Sequence, residues 1–130
     1  MHLLDTSALC AHFLGEPGAD TVEKLLQQPE EVGVCVLSWF EMRFVLPACG
    51  VTAANAAAAV RLYRALPLMV CEINETIVDG AVALRSTATA RLPMTDALIA
   101  ACAQQFDATL VHRDAHYEAI PARLLHQLRI

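Results

Sequence analysis

The sequence predicts an α/β domain, a three-layer α/β/α sandwich with a central, mostly parallel sheet. Three observations lead there. Short apolar runs alternate with longer helical patterns along the chain. The runs lack the period-two alternation of a half-exposed strand, so both of their faces are expected to be covered. Cap and turn residues separate them, with no repeat, linker or low-complexity tail, so residues 1–130 are expected to form a single domain.

The elements follow in order. HLLD (2–5) is the first strand, and TSALCAHFL (6–14) is the helix directly after it. ADTVEKLLQQ (19–28) places apolar residues at 22, 25 and 26 and stops before Pro29. VGVCVLS (32–38) is valine-rich and apolar on both faces, a second strand, and WFEMRFVLPA (39–48) is the helix that follows. A helix over 53–65 starts after a Thr52 cap and carries a tyrosine and leucine face. LPLMVCEI (66–73) is the third strand. INETIVDGAVALRSTAT opens a helix on the cap residue Asn74, and TDALIAACAQQF (95–106) opens one on Thr95. ATLVHR (108–113) is the fourth strand and RLLHQL (123–128) a short final one.

Composition narrows the function classes. Only 18% of residues are charged and 56% are hydrophobic, which excludes a disordered chain and suits helices packed closely on a sheet. The net charge of -5 argues against binding nucleic acid through a general positive field. It leaves a nuclease open, because metal ions neutralise clustered carboxylates locally. Lys24 is the only lysine and the other eight basic residues are arginines, which suit bidentate phosphate contacts. The five cysteines (Cys10, Cys35, Cys49, Cys71, Cys102) form no C-x-x-C pair and read as reduced thiols. Asp5 interrupts any early apolar region, so no signal peptide is expected. The longest uncharged stretch, residues 44–60, is broken by Pro47, Gly50 and Asn55, so no membrane association is expected. The expected location is cytoplasmic.

Most acidic residues read as solvated: Glu16, Asp20, Glu23, Glu30 and Glu31 in loops or on polar faces, and Glu72, Glu75 and Asp79 around a helix start. Four differ. Asp5 ends the first strand, Glu41 follows the second, Asp96 opens a very apolar helix, and Asp114 follows the fourth strand. In a parallel sheet the strand C-termini share one edge, where ligands bind, so all four belong on that edge. Each also has a plainer reading. Asp5 and Asp114 suit caps or turns, Ser38 and Glu41 match a capping box, and Asp96 suits the positive end of a helix. Taken together they are harder to dismiss. Two like charges ~4 Å apart repel by ~4 kcal/mol at an effective dielectric near 20, so a convergent quartet needs protons or cations among its members. Oxygen-only ligands favour Mg²⁺ or Mn²⁺, one ion or two.

The stretches LLDTSAL, SWFEM, MTDALIAACA and LVHRDAHYEAI, in this order and spacing, resemble a PIN-domain ribonuclease of the VapC toxin type. The likeness spans essentially the whole chain. It implies an acidic quartet of Asp5, Glu41, Asp96 and Asp114 as catalytic metal ligands, and single-strand endonucleolysis of RNA. Many relatives carry a further acid two residues beyond the fourth, and here that place is His116. This histidine reads as either a surface residue or a ligand for Mn²⁺. Thr6, Ser7 and Thr95 are candidates to orient the carboxylates. Arg43, Arg91 and Arg113 are candidates for RNA phosphate. The resemblance further implies a homodimer, with the alanine-rich helix 53–65 as either interface or core, and a cognate VapB-type antitoxin whose tail covers the acidic edge. Two other classes stand beside this reading. Phosphatases and phosphotransferases that begin with a strand-end aspartate are disfavoured, because Ser7 stands where a second aspartate is needed and no late lysine exists. A catalytically inactive PIN module that binds nucleic acid or a protein partner is the other.

Overall fold

A computed structural model describes all 130 residues. The elements in chain order are β1 (His2–Leu4), α1 (Thr6–Leu14), α2 (Ala19–Leu26), β2 (Val32–Cys35), α3 (Val36–Ala48) and α4 (Ala53–Arg64). There follow β3 (Met69–Cys71), α5 (Glu75–Thr87), α6 (Met94–Gln105), β4 (Thr109–His112) and β5 (Gln127–Arg129). Short 3-10 turns lie at Pro29–Glu31 and Ala115–Ala119.

The five strands form one sheet in the order β3-β2-β1-β4-β5, and every pair is parallel. The expected mostly parallel sheet is therefore parallel throughout. Leu4 pairs with Val34 on one side and Val111 on the other, so β1 is central. The order runs outward from β1 in two directions, to β2 and to β4. Such a switch point opens a crevice at the strand C-termini. Side chains alternate across the sheet: Leu3 and Leu110 join a core with α5 and α6, while Leu4 and Val111 join one with α1 to α4. Two covered faces explain why the strands read as continuous apolar runs.

Local chemistry sets the helix ends. Helix α1 runs over residues 6–14 as the sequence predicts, and it stops at Gly15, whose φ of 66° is left-handed and costs a glycine little. Thr52 and Asn74 cap α4 and α5 as expected, accepting from the backbone N–H of Asn55 and Ile77. Gly80 lets α5 approach α6 closely, since a Cβ there would lie 3.4 Å from the Ala101 methyl. The alanine-rich face of α4 is core, with Ala56, Ala59, Val60 and Tyr63 buried.

Several boundaries differ from expectation. Strand β2 ends at Cys35 rather than residue 38, because its ladder to β3 ends at the Cys35–Cys71 pair and Val36 already begins α3. Ser38 thus lies inside the helix and caps nothing. The third strand is Met69–Cys71 within the expected 66–73, and the last is Gln127–Arg129 rather than 123–128. Pro93, not Thr95, occupies the cap position of α6. All five cysteines are free, and only Cys49 is exposed. No helix is long and apolar enough to cross a membrane.

Candidate active site

The edge at the C-termini of β1 and β4 gathers the acids. The Asp5 N–H donates to the Val111 carbonyl (2.9 Å), which extends the β1–β4 ladder by one residue and pins Asp5 at the switch point. Its side chain caps α1: Oδ2 accepts from the Ser7 N–H at 2.9 Å and from the Ser7 hydroxyl at 2.5 Å. Oδ1 accepts from the Tyr117 hydroxyl at 2.6 Å. Three donors therefore hold a carboxylate that is only 4% exposed. Ser7 Oγ in turn accepts from the Arg113 N–H (2.9 Å), which ties the start of α1 to the end of β4.

Glu41 reaches this edge from the second turn of α3. The Thr6 hydroxyl donates to its Oε1 at 2.7 Å, so Thr6 orients Glu41 rather than Asp5. Burial raises the Glu41 pKa, with repulsion from Asp5 and Asp114 adding to it, while the Thr6 and Thr95 hydroxyls oppose the rise. The capping-box reading of Ser38 and Glu41 does not hold. The Ser38 hydroxyl is fully buried without a partner, and the Glu41 carboxylate points across to α1.

Asp96, in the first turn of α6, is the most perturbed of the four. Burial, then the charges of Asp114, Asp5 and Glu41, push its pKa up to about 7, and His116 pulls the other way. The Thr95 hydroxyl is 3.5 Å from Asp96 Oδ1, and Oδ2 accepts no hydrogen bond at all. Asp114 caps the 3-10 turn Ala115–Ala119, its Oδ1 accepting from the His116 N–H at 2.8 Å. The His116 Nδ1 lies 3.2 Å from Asp96 Oδ2 and 2.9 Å from Asp114 Oδ1. His116 is an exposed residue, and its ring sits over both carboxylates. Asp96, Asp114 and His116 form the tightest group of donors, within 4.8 Å of one another, with Asp5 and Glu41 outside it.

The arginine candidates separate. Arg113 turns to Glu16, which is thus paired rather than merely solvated. Arg43 and Arg91 are exposed and form no ion pair. Sequence reasoning missed Tyr117 and His112. Burial and the Asp5 charge push the Tyr117 phenol well above its usual range, so it remains a donor. The buried His112 ring packs 4.8 Å from the Tyr117 ring, and its Nε2 contacts Gln127 Oε1 at 3.1 Å. A buried tyrosine needs a partner for its hydroxyl, but nothing local identifies one 112 residues away.

The PIN domain family model matches residues 2–122. The chain belongs to the PIN domain family. Solved structures share its fold. VapBC2 from Rickettsia felis, bound to a promoter DNA fragment, aligns with a TM-score of 0.77 at 16% identity, covering 98% of this chain and 97% of that one. FitAcB from Neisseria gonorrhoeae aligns at 0.72 and 23% identity, covering 99% and 97%. VapC20 from Mycobacterium tuberculosis, described as a sarcin-ricin loop cleaving toxin, aligns at 0.72 and 21% identity over 100% of both chains. No curated protein matches the chain by sequence.

Proposed function

We propose that residues 1–130 form a single PIN domain that is a metal-dependent, single-strand-specific endoribonuclease. We further propose that it is the toxin of a toxin–antitoxin pair, with a VapB-type antitoxin as partner. The observation that carries this reading is Asp96, a buried carboxylate with an unpartnered oxygen, facing Asp114 in a cluster of acids. Burying a carboxylate oxygen without a partner is costly, and a cation removes that cost. The donors are carboxylate oxygens and one imidazole nitrogen, a set that fits Mg²⁺ or Mn²⁺, one ion or two.

Asp96 and Asp114 would hold the ion, with Asp5 and Glu41 completing the acidic edge. A divalent cation held there would supply a bound water of lowered pKa and would neutralise charge gathering on a phosphodiester. The chain's own residues do the rest. Tyr117 and Ser7 fix Asp5 in one orientation. Thr6 aims Glu41, whose raised pKa suits a base that takes a proton from an attacking water. Arg43 and Arg91 are free to meet RNA phosphates. The VapC20 neighbour's RNA-loop cleavage supports the substrate class, and the toxin–antitoxin complexes among the neighbours support the partner. Phe40 and Phe44, 63% and 64% exposed and 4.8 Å apart, offer an apolar contact for a homodimer.

The test is incubation of purified protein with total RNA, with Mg²⁺ or Mn²⁺, with EDTA, and with Asp96→Asn alongside. Discrete fragments lost in both controls are expected. No cleavage by the folded, antitoxin-free protein would leave the non-catalytic binding module as the better reading.

A further inference from the structure

The donor set at the acidic edge is not made of oxygen alone. One atom each from Asp96, Asp114 and His116 lies within 4.8 Å of the others, and the histidine contributes Nδ1. Acidic groups cluster on many protein surfaces with no ion, so proximity decides nothing. Two features set this group apart. Asp96 is 8% exposed, and Oδ2, the oxygen facing His116, accepts no hydrogen bond. Native proteins rarely leave such an atom unsatisfied. The histidine is also held in place. Its backbone N–H donates to Asp114 Oδ1 at the start of the 3-10 turn, and the ring lies over the same carboxylate. Side-chain exposure rises from 11% at Asp96 to 34% at Asp114 and 47% at His116, so the group is anchored in the core and opens outward.

We infer that His116 Nδ1 is a metal ligand, and that it makes the site prefer first-row transition ions, Mn²⁺ among them, over Mg²⁺. This rests on the nuclease reading of the same site. Mg²⁺ is held by the charge of hard oxygens, binds imidazole poorly and gives up its water reluctantly. A neutral imidazole adds no charge to attract it. Transition ions gain from a nitrogen donor, and the gain increases from Mn²⁺ along the series. His116 thus penalises Mg²⁺ and favours its competitors at one position.

The experiment uses the full metal-free chain. Mg²⁺ and Mn²⁺ binding are measured by calorimetry, and the Mn²⁺-loaded protein is examined by electron spin-echo modulation for a directly bound ¹⁴N. The expected result is a nitrogen coupling that His116→Asp abolishes. The preference for Mn²⁺ over Mg²⁺ is expected to fall about tenfold in that variant. His116 is half exposed, so the substitution leaves the core intact, and the spectrum of the unaltered protein needs no variant. Mn²⁺ bound with no nitrogen coupling would overturn the inference, as would a coupling or an ion preference unchanged in His116→Asp. Binding lost in Asp96→Asn would in those cases leave the nuclease reading standing. A chain that binds neither ion would overturn both.

Discussion

Replacing Asp96 by asparagine is expected to stabilise the metal-free protein, and only as pH rises. The carboxyl pKa moves from 3.8 to about 7 in the fold, chiefly through burial and then through the charges of Asp114, Asp5 and Glu41. An acid whose folded pKa exceeds its unfolded value holds its proton more tightly when folded. The fold therefore loses stability as pH rises through the window from 3.8 to about 7. At 1.36 kcal/mol per pH unit the full loss is about 4 kcal/mol. The site opens to solvent on the His116 side, and halving for that screening leaves about 2 kcal/mol. Asparagine has no proton to lose. In urea unfolding with EDTA, Asp96→Asn should exceed the parent by about 2 kcal/mol at pH 8, and the gap should be about 1 kcal/mol smaller at pH 5. Excess Mn²⁺ should reverse the order, because an ion at about a hundred times its Kd adds ~2.7 kcal/mol to the parent alone. A variant less stable than the parent at pH 8 in EDTA, or a gap independent of pH, would refute the electrostatic account of Asp96.

Other substitutions probe the supports of the site. Tyr117→Phe removes a donor to Asp5 and leaves Oδ1 short of a partner in a buried place. Stability should fall by ~1–3 kcal/mol and cleavage by ~10–100-fold, read by urea titration and a single-turnover assay. Thr6→Val removes a hydroxyl that holds the Glu41 pKa down. Glu41 should then protonate at higher pH, so the acidic limb of the pH–rate profile should move upward. Ser38→Ala deletes a buried hydroxyl without a partner. Stability should be equal or higher by ~1 kcal/mol with metal binding unchanged, whereas a true capping serine would cost ~1 kcal/mol on removal.

The layered architecture was legible because both faces of the sheet are covered, which leaves strands such as VGVC without alternation and sets them against helical patterns. Caps with a side-chain acceptor were legible at Thr52 and Asn74. Boundaries inside continuous apolar runs were not. Nothing in VGVCVLSWF marks the change from strand to helix at Val36, where the cap residue is Cys35 and no side chain takes part. Contacts made across the fold were also hidden. The Thr6–Glu41 bond spans 35 residues and the Tyr117–Asp5 bond 112. Periodicity says which face a residue is on, but not which partner meets it there.

The four acids also show why a single position is ambiguous while the set points to one edge. In a parallel sheet, a residue just past a strand is commonly the cap of the next helix, and the same place is the ligand-binding edge. Capping and metal binding therefore ask for the same residue type at the same site. Asp5 and Asp114 do cap: Asp5 accepts from the Ser7 N–H and Asp114 from the His116 N–H. Their presence is consistent with either purpose. Glu41 and Asp96 break the tie. Glu41 is past the first turn of α3 and spends its carboxylate on a threonine in α1. Asp96 stands behind the cap residue Pro93, in the first turn of α6, with an Oδ2 that accepts no hydrogen bond and faces the His116 ring at 3.2 Å. Neither does the work of a cap, and both have raised pKa values caused by burial and by the other acids. A fold that needed only helix caps would keep Asp5 and Asp114 and would gain stability by discarding the charge at Asp96. Carrying all four at one edge makes sense for a site that is completed by a cation.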